Sequence, residues 1–220
     1  MKHRYEKGDE RMAKQIEGVY ENILECATKE FLEKGYTDAS LRTIAANAGT
    51  STNSIYVRFK DKEGLFAAIV EPVAEEFMSR CRNIQETFHS FDSEVQRQEV
   101  GKYSSNAMLD MMDYVYDHFD VFRLLLDASY GTKFQYFIDG LVSLEEDYTW
   151  KWLEATGSRI KHEGRITAEF YHMMVTAYFE GIFEVVRHDI PRKDAKKYVA
   201  LMGEYHHAGF LAIVENTGLK

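Results

Sequence analysis

Proline is nearly missing from this chain: only Pro72 and Pro191 occur in 220 residues. Proline breaks helices, so its scarcity leaves room for long ones. Strand-like alternation of apolar and polar residues is missing as well, and the two absences together predict an all-α protein. Cysteine is equally scarce. Cys26 and Cys81 have no metal-site spacing and are read as reduced thiols in a cytoplasmic protein, Cys26 at a helix seam. No apolar run approaches the roughly 20 residues that span a bilayer. The opening segment MKHRYEKGDER has no apolar h-region, so no secretory signal is expected. No Gly-rich phosphate loop, nucleophile elbow or nucleophile–base pair can be argued, so neither an enzyme nor a cofactor is expected.

Positive charge is also in deficit, with a formal net charge of −9. The deficit is not spread evenly. Residues 1–66 hold 11 Lys+Arg against 11 Asp+Glu, whereas residues 67–220 hold 16 against 25. An acidic body would repel a polyanion from most of the surface and leave a basic cluster near residue 60 as the face able to dock one. Lys2, Arg4, Lys7, Arg11 and Lys14 form a basic lead-in, read first as a solvated tail and second as a phosphate contact.

What is present is concentrated between Ser40 and Leu65, SLRTIAANAGTSTNSIYVRFKDKEGL. Ser40 is a good N-cap. Leu41, Ile44, Ala45 and Ala48 then recur at helical steps, and Gly49 supplies a left-handed stop. Ser51 or Thr52 caps a second short helix with Ile55, Tyr56 and Phe59 on one face, and Asp61 caps a third. Two short helices joined at Gly49 fit a helix-turn-helix. Thr52, Asn53, Ser54, Val57 and Arg58 lie off the apolar face, and Thr, Asn and Ser are poor helix formers. A helix built against its own propensity points to a surface selected for contact. Asn and Arg can pair with adenine and guanine edges, and Val or Thr methyls can touch thymine. The plainer alternative is a capped surface helix with incidental polar residues. Arg58, Lys60 and Lys62 then crowd the start of the next helix, where backbone amides attract phosphate.

From Ile23 to Val70 the chain resembles the DNA-binding domain of the tetracycline-repressor (TetR) family. The resemblance rests on Ala27 with Phe31, Gly35-Tyr36, Ser40-Leu41, Ile44-Ala45, Ala48-Gly49-Thr50-Ser51, Ile55-Tyr56, Phe59 and Lys62-Glu63 with Leu65. It implies that Ser40, Ser51, Tyr56 and Lys62 hold phosphates of double-stranded DNA and that Thr52, Asn53, Val57 and Arg58 face bases. Many members carry a basic residue then glycine where this chain has Thr52-Asn53, and many have an aromatic at Val57 or Arg58. Those departures leave the fold intact and change the operator. The resemblance further implies a homodimer on a pseudo-palindromic operator, and a transcriptional regulator, usually a repressor released by a small molecule; the alternative is a regulator that its ligand activates or that needs none.

Residues 1–66 are thus expected to form the DNA-binding domain, 1–12 being its tail, and 67–220 a larger helical domain for ligand binding and dimerisation. Helices are predicted at about 13–34, 62–88 with Pro72 as a kink, 101–118, 119–129, 133–160, 165–188 and 192–216, with residues 89–100 beginning as a loop. Gly131 separates two of them, and Gly157 or Gly164 ends a third. In the helix beginning at Ala168, Glu169, His172, Thr176, Glu180, Glu184 and Arg187 form one narrow polar stripe. The apolar arc around it is too wide for a single cover. With the last helix it predicts a four-helix bundle between two copies of the chain.

The resemblance implies a small-molecule pocket in the larger domain; methionine and aromatics are dense from 103 to 183, and Met108, Met112, Phe122, Tyr130, Phe137, Trp152, Met174 and Tyr178 are the candidates to line it around an apolar or aromatic effector. Ordinary core is the competing reading of each. Asp110, Asp113, Asp117 and Asp120 would favour a cationic ligand or form a solvated face. Glu-x-x-His pairs at Glu86/His89, Glu169/His172 and Glu204/His207 raise a remote alternative, a helical di-metal carboxylate oxidase. Glu169 and His172 lie on the polar stripe, which argues against it.

Overall fold

The structure is a computed structural model that describes the backbone of residues 2–158 and 166–215 and the side chains of 18–158 and 166–213. Among the described residues there are nine α-helices, one short 3-10 helix and no strand. They are α1 (Lys2–Asp38), α2 (Leu41–Asn47), α3 (Thr52–Phe59), α4 (Lys62–His89), α5 (Ser93–Asp117), α6 (Phe119–Asp127), α7 (Phe137–Ala155), α8 (Ala168–Arg187) and α9 (Arg192–Glu215), with the 3-10 turn at Lys133–Tyr136. No helix is long and apolar enough to cross a membrane, among the described residues. The side chains of the basic tail, and Gly164, lie outside them.

Two compact units share these helices. One comprises residues 1–73 and 120–135, the other 74–119 and 136–220. The first unit therefore takes in α6 and the turn after it, a segment remote in sequence. Its core joins Ile23, Ala27 and Phe31 of α1, Ile44 and Ala45 of α2, Ile55 and Phe59 of α3, and Leu65, Phe66 and Val70 of α4. Phe66 sits at its centre, edge-on to Phe31 at 5.0 Å and 6.0 Å from Phe134. The backbone amide of Tyr36 donates to Ala128 O at 2.9 Å, which ties the segment after α6 to the end of α1. Lys133 pairs with Glu71.

Local rules explain the short helices. The Ser40 hydroxyl accepts from the Thr43 amide (3.4 Å) and that of Ser51 from the Ser54 amide (3.2 Å). α2 ends in a Schellman arrangement: the Thr50 amide donates to Ala45 O (2.9 Å) and the Gly49 amide to Ala46 O (3.2 Å). Gly49 has φ +64°, a conformation that glycine adopts without strain. Between α3 and α4 the chain reverses in a γ-turn. Lys60 has φ 70° and ψ −51°, and the Asp61 amide donates to Phe59 O at 2.9 Å. Asp61 Oδ1 then caps α4 by accepting from the Gly64 amide at 2.7 Å. A Cβ on Gly64 would lie 1.9 Å from the carbonyl oxygen of Phe59, so glycine is what allows α4 to start against the end of α3.

The second unit packs the later part of α4 with α5, α7, α8 and α9. Phe77 lies 5.9 Å from Phe137 and 6.4 Å from Phe183, and Met112, Val115, Leu141, Val175 and Ile182 close the same core. α5 begins at Ser93, eight residues before the predicted start. Asp92 Oδ1 caps it by accepting from the Glu94 and Val95 amides, both at 3.1 Å, and Glu94 pairs one turn on with Arg97 and Gln98. Polarity there marks an exposed helix face and not a loop. α4 runs unbroken through Pro72. Gly35 takes α1 out of helical geometry at φ 72°, ψ 167° before a last turn to Asp38.

Gly64→Ala should therefore be the most disruptive small change in the first unit. Its methyl meets backbone rather than a mobile side chain, and a loss of about 1–3 kcal/mol is expected on the scale of overpacked sites. Chemical denaturation of the two proteins checks this; an unchanged midpoint would contradict the tight α3–α4 junction.

Candidate nucleic-acid interface and internal cavity

α3 is held by one side. Ile55 is fully buried and Phe59 nearly so, and the Phe59 ring stacks on Tyr20 at 5.2 Å. Asn22 Nδ2 donates to Ala48 O at 2.9 Å and fixes α2 on α1 beneath it. Glu30, itself buried, accepts the Ser40 amide at 3.0 Å and anchors the start of α2. The opposite side of α3 is open. Val57 is 74% exposed and Tyr56 52%, Asn53 is exposed, and Thr52 and Arg58 are half-buried. An aliphatic side chain left three-quarters in water gains nothing for the fold.

The structure places all eight sequence-derived DNA-contact residues in the first unit, Ser40 at the start of α2 and the other seven from Ser51 to Lys62. Besides the capping hydroxyls of Ser40 and Ser51, two are already engaged. Arg58 Nη1 folds back along α3 to Ser54 O (3.2 Å) and Ser54 Oγ (2.5 Å). Lys62 Nζ donates to Thr37 O (2.9 Å) and Ala39 O (3.2 Å) and lies 4.8 Å from the Tyr36 ring centroid. That ammonium caps the end of α1 and retains one proton for another acceptor.

The second unit encloses a cavity of about 160 Å³, lined by parts of α4, α5, α7, α8 and α9. At 10–15 Å³ per probe-filled water site it holds on the order of ten waters, enough for a small molecule. Of the sequence candidates, Met108, Trp152 and Tyr178 line it. The other five do not. Phe122 is core and Tyr130 is 79% exposed, and both belong to the first unit, because α6 and its following turn pack there. Met112 and Phe137 are buried in the second unit's core, and Met174 is half-buried away from the cavity wall. Aromatic density alone did not distinguish wall from core.

Glu145 is the wall residue that composition concealed. It sits on α7 in register with Leu141, Leu144, Tyr148 and Trp152, an acid on an apolar face, and that register was the available signal. Its carboxylate accepts from Gln85 Nε2 at 2.8 Å and, at 3.5 Å, from Thr149 Oγ1; Thr149 Oγ1 accepts in turn from the Tyr171 hydroxyl at 2.7 Å. Burial raises its pKa above the ordinary 4.5, opposed by the hydrogen bonds from Thr149 and Gln85. Burial likewise pushes the Cys81 thiol up to about 12, helped by the charge of Glu145. His206 stacks on Tyr178 at 4.3 Å and is lowered by burial and then by His207. His89 directs both ring nitrogens at carbonyl oxygens, Gln85 at 2.8 Å and Tyr148 at 3.0 Å.

Asp113 and Asp117 of α5 have partners on another helix. Arg192 and Lys196 of α9 bind Asp113, and Arg192 also binds Asp117. No group of three or more His, Cys, Asp or Glu is arranged to hold a metal, among the described residues. Glu169 and Glu204 are exposed, and His172 pairs with Glu146 at 3.2 Å, so the oxidase reading finds no support.

Residues 23–69 match the family model described as bacterial regulatory proteins, tetR family. Those residues include α2 and α3, which form the helix-turn-helix of that family's DNA-binding domain. The chain is 42% identical over 60 residues to the uncharacterised HTH-type transcriptional regulator YvdT of Bacillus subtilis, a match covering 27% of this chain and 31% of YvdT. It is 23% identical over 189 residues to the HTH-type transcriptional regulator SAS2464 of Staphylococcus aureus, covering 83% and 100% of the two chains. The fold is similar to that of SmeT, the repressor of the Stenotrophomonas maltophilia multidrug efflux pump SmeDEF, with a TM-score of 0.59 and 18% identity over 86% of this chain and 89% of SmeT. SmeT bound to triclosan gives a TM-score of 0.58 with 20% identity, over 87% and 90%.

Glu145 also makes stability depend on pH. Its folded pKa lies above its unfolded value, so its contribution is full below the unfolded pKa and falls as pH rises through the folded one. Glu145→Gln should then melt above the parent protein at pH 8, and the difference should vanish near pH 4. A variant less stable than the parent at pH 8 would contradict an unpaired buried carboxylate.

Proposed function

We propose that this TetR-family regulator is a repressor that binds a pseudo-palindromic operator as a homodimer and is released when a small molecule enters the cavity of its second unit. The observation that carries the reading is the one-sided anchoring of α3. Its apolar residues are buried, while Asn53, Val57 and Tyr56 face outward beside Lys60 and the half-buried Arg58 and Lys62. In this account Thr52, Asn53, Val57 and Arg58 read base edges, Arg58 after releasing Ser54. Ser40, Ser51, Tyr56 and Lys62 hold phosphates. The protein acts in the cytoplasm, through binding and not catalysis.

Dimerisation follows from the uncovered side of the second unit. Phe170 and Met173 of α8, with Tyr198, Leu201 and Tyr205 of α9, are 42–75% exposed, and on each helix they recur at helical spacing. Two copies packing these faces as a four-helix bundle would cover them. A twofold pair also presents two copies of α3 at a fixed separation, about one turn of DNA or a small multiple.

The release mechanism is a population shift. An effector favours the state in which the two α3 helices do not match the half-site spacing. The chain itself provides a route. The cavity wall on α5 includes Ser104 and Met108, and α5 continues directly into α6, which belongs to the DNA-binding unit and is tied to α1 through Ala128.

Gel shifts against the DNA flanking its own gene test the reading. A salt-sensitive, sequence-preferring shift is expected, and its absence would refute the regulator. Tyr56→Phe and Lys62→Ala should weaken binding to all sequences, Lys62→Ala reducing the log–log salt slope by about 1. Asn53→Ala and Arg58→Ala should change sequence preference, with about 1–3 kcal/mol lost at the affected base pair. Equal, sequence-blind losses from all four would contradict the division into phosphate and base contacts.

A further inference from the structure

The cavity wall has a charge asymmetry. Among the described residues no lysine or arginine lines it, and Glu145 is its one carboxyl group. Burial keeps the Cys81 thiol and the Tyr171 and Tyr178 hydroxyls protonated and lowers the pKa of His206, whose neighbour His207 also lines the wall. The ring nitrogens of His89 lie against the Gln85 and Tyr148 carbonyl oxygens, and a neutral ring can donate to one of them. Among the described residues Glu145 forms no ion pair; Gln85 and Thr149 are its hydrogen-bonding partners. Its charge nonetheless acts on Cys81, Tyr171 and Tyr178, which places it among the wall residues.

A buried carboxylate without a cation is unfavourable, and a ligand that brings the cation removes the penalty. The faces of tyrosine, tryptophan and phenylalanine attract the same charge, and they dominate the rest of the wall: Phe88, Tyr103, Tyr148, Trp152, Tyr178 and Phe210. A carboxylate or phosphate ligand would instead meet Glu145 with no lysine or arginine on the wall to offset it. From this wall we infer that the effector is an organic monocation with an aromatic or apolar body, its positive centre set against Glu145. This rests on the cavity being the effector site and adds the ligand's charge.

The test is a comparison of two probes of nearly equal shape, benzyltrimethylammonium and its uncharged carbon analogue neopentylbenzene. Binding to the whole chain is followed by tryptophan fluorescence, since Trp152 lines the cavity. The cation should bind at least tenfold more tightly. Glu145→Gln should cut its affinity at least tenfold and leave the neutral analogue within twofold. If that variant does not fold, the comparison on the parent protein decides by itself. Equal or tighter binding of the neutral probe, an unchanged cation affinity in Glu145→Gln, or no binding of either probe would overturn the inference. DNA binding is read in a separate gel shift. An intact operator complex without cation preference defeats the ligand class alone. Loss of operator binding with a clear cation preference defeats the repressor and leaves the ligand class standing.

Discussion

Ile55 and Phe59 are buried while Val57, between them in sequence, stands in water. On an eight-residue helix this means that a single side carries all of its attachment to the protein. Isolated helices of that length are unstable, and Thr52, Asn53 and Ser54 weaken this one further. α3 therefore exists because α1, α2 and the start of α4 hold it. Tyr20 beneath Phe59, Asn22 on the end of α2, the Lys60 turn and the bare Cα of Gly64 are parts of one clamp. With the fold satisfied on the buried side, the outward residues are free to be chosen for another surface.

The same logic recurs around the cavity with opposite polarity. In the second unit the core is closed by phenylalanine, valine and isoleucine, yet one turn of α7 places Glu145 and Thr149 where apolar residues would pack. Neither group improves the core. Their hydrogen bonds reach Gln85 on α4 and Tyr171 on α8, so three helices meet through one polar chain at the cavity wall. A ligand that changes the charge state or position of Glu145 acts on all three together. This is a physical basis for coupling that needs no contact between the ligand and DNA.

Much of this was legible in the sequence, for reasons that differ by region. The helix-turn-helix was readable because caps, a left-handed glycine and apolar spacing all agree within 26 residues, and each is a local rule. The homology-like series from Ala27 to Leu65 added the assignment of contacts. The α6 segment was not readable as part of the DNA-binding unit, since its pairing with α1 joins residues about ninety positions apart and no local signal marks it. The cavity was readable only in part. Met108, Trp152 and Tyr178 reached the wall, but Phe122, Phe137 and Met112 have the same composition and became core. Residue type sets a preference for burial, whereas the side of the helix facing a void depends on packing between helices. The Glu145 register was visible along α7, and its meaning emerged only with Gln85 and Thr149 beside it.

The central claim, that α3 reads base edges in the major groove, is tested most directly by methylation interference on the protein's own operator. Dimethyl sulfate marks guanine N7 in the major groove and adenine N3 in the minor groove. The account predicts that N7 methylation blocks binding in two symmetric half-sites about one helical turn, or a small multiple, apart. Interference confined to adenine N3, or a single unpaired patch of N7 interference, would contradict it.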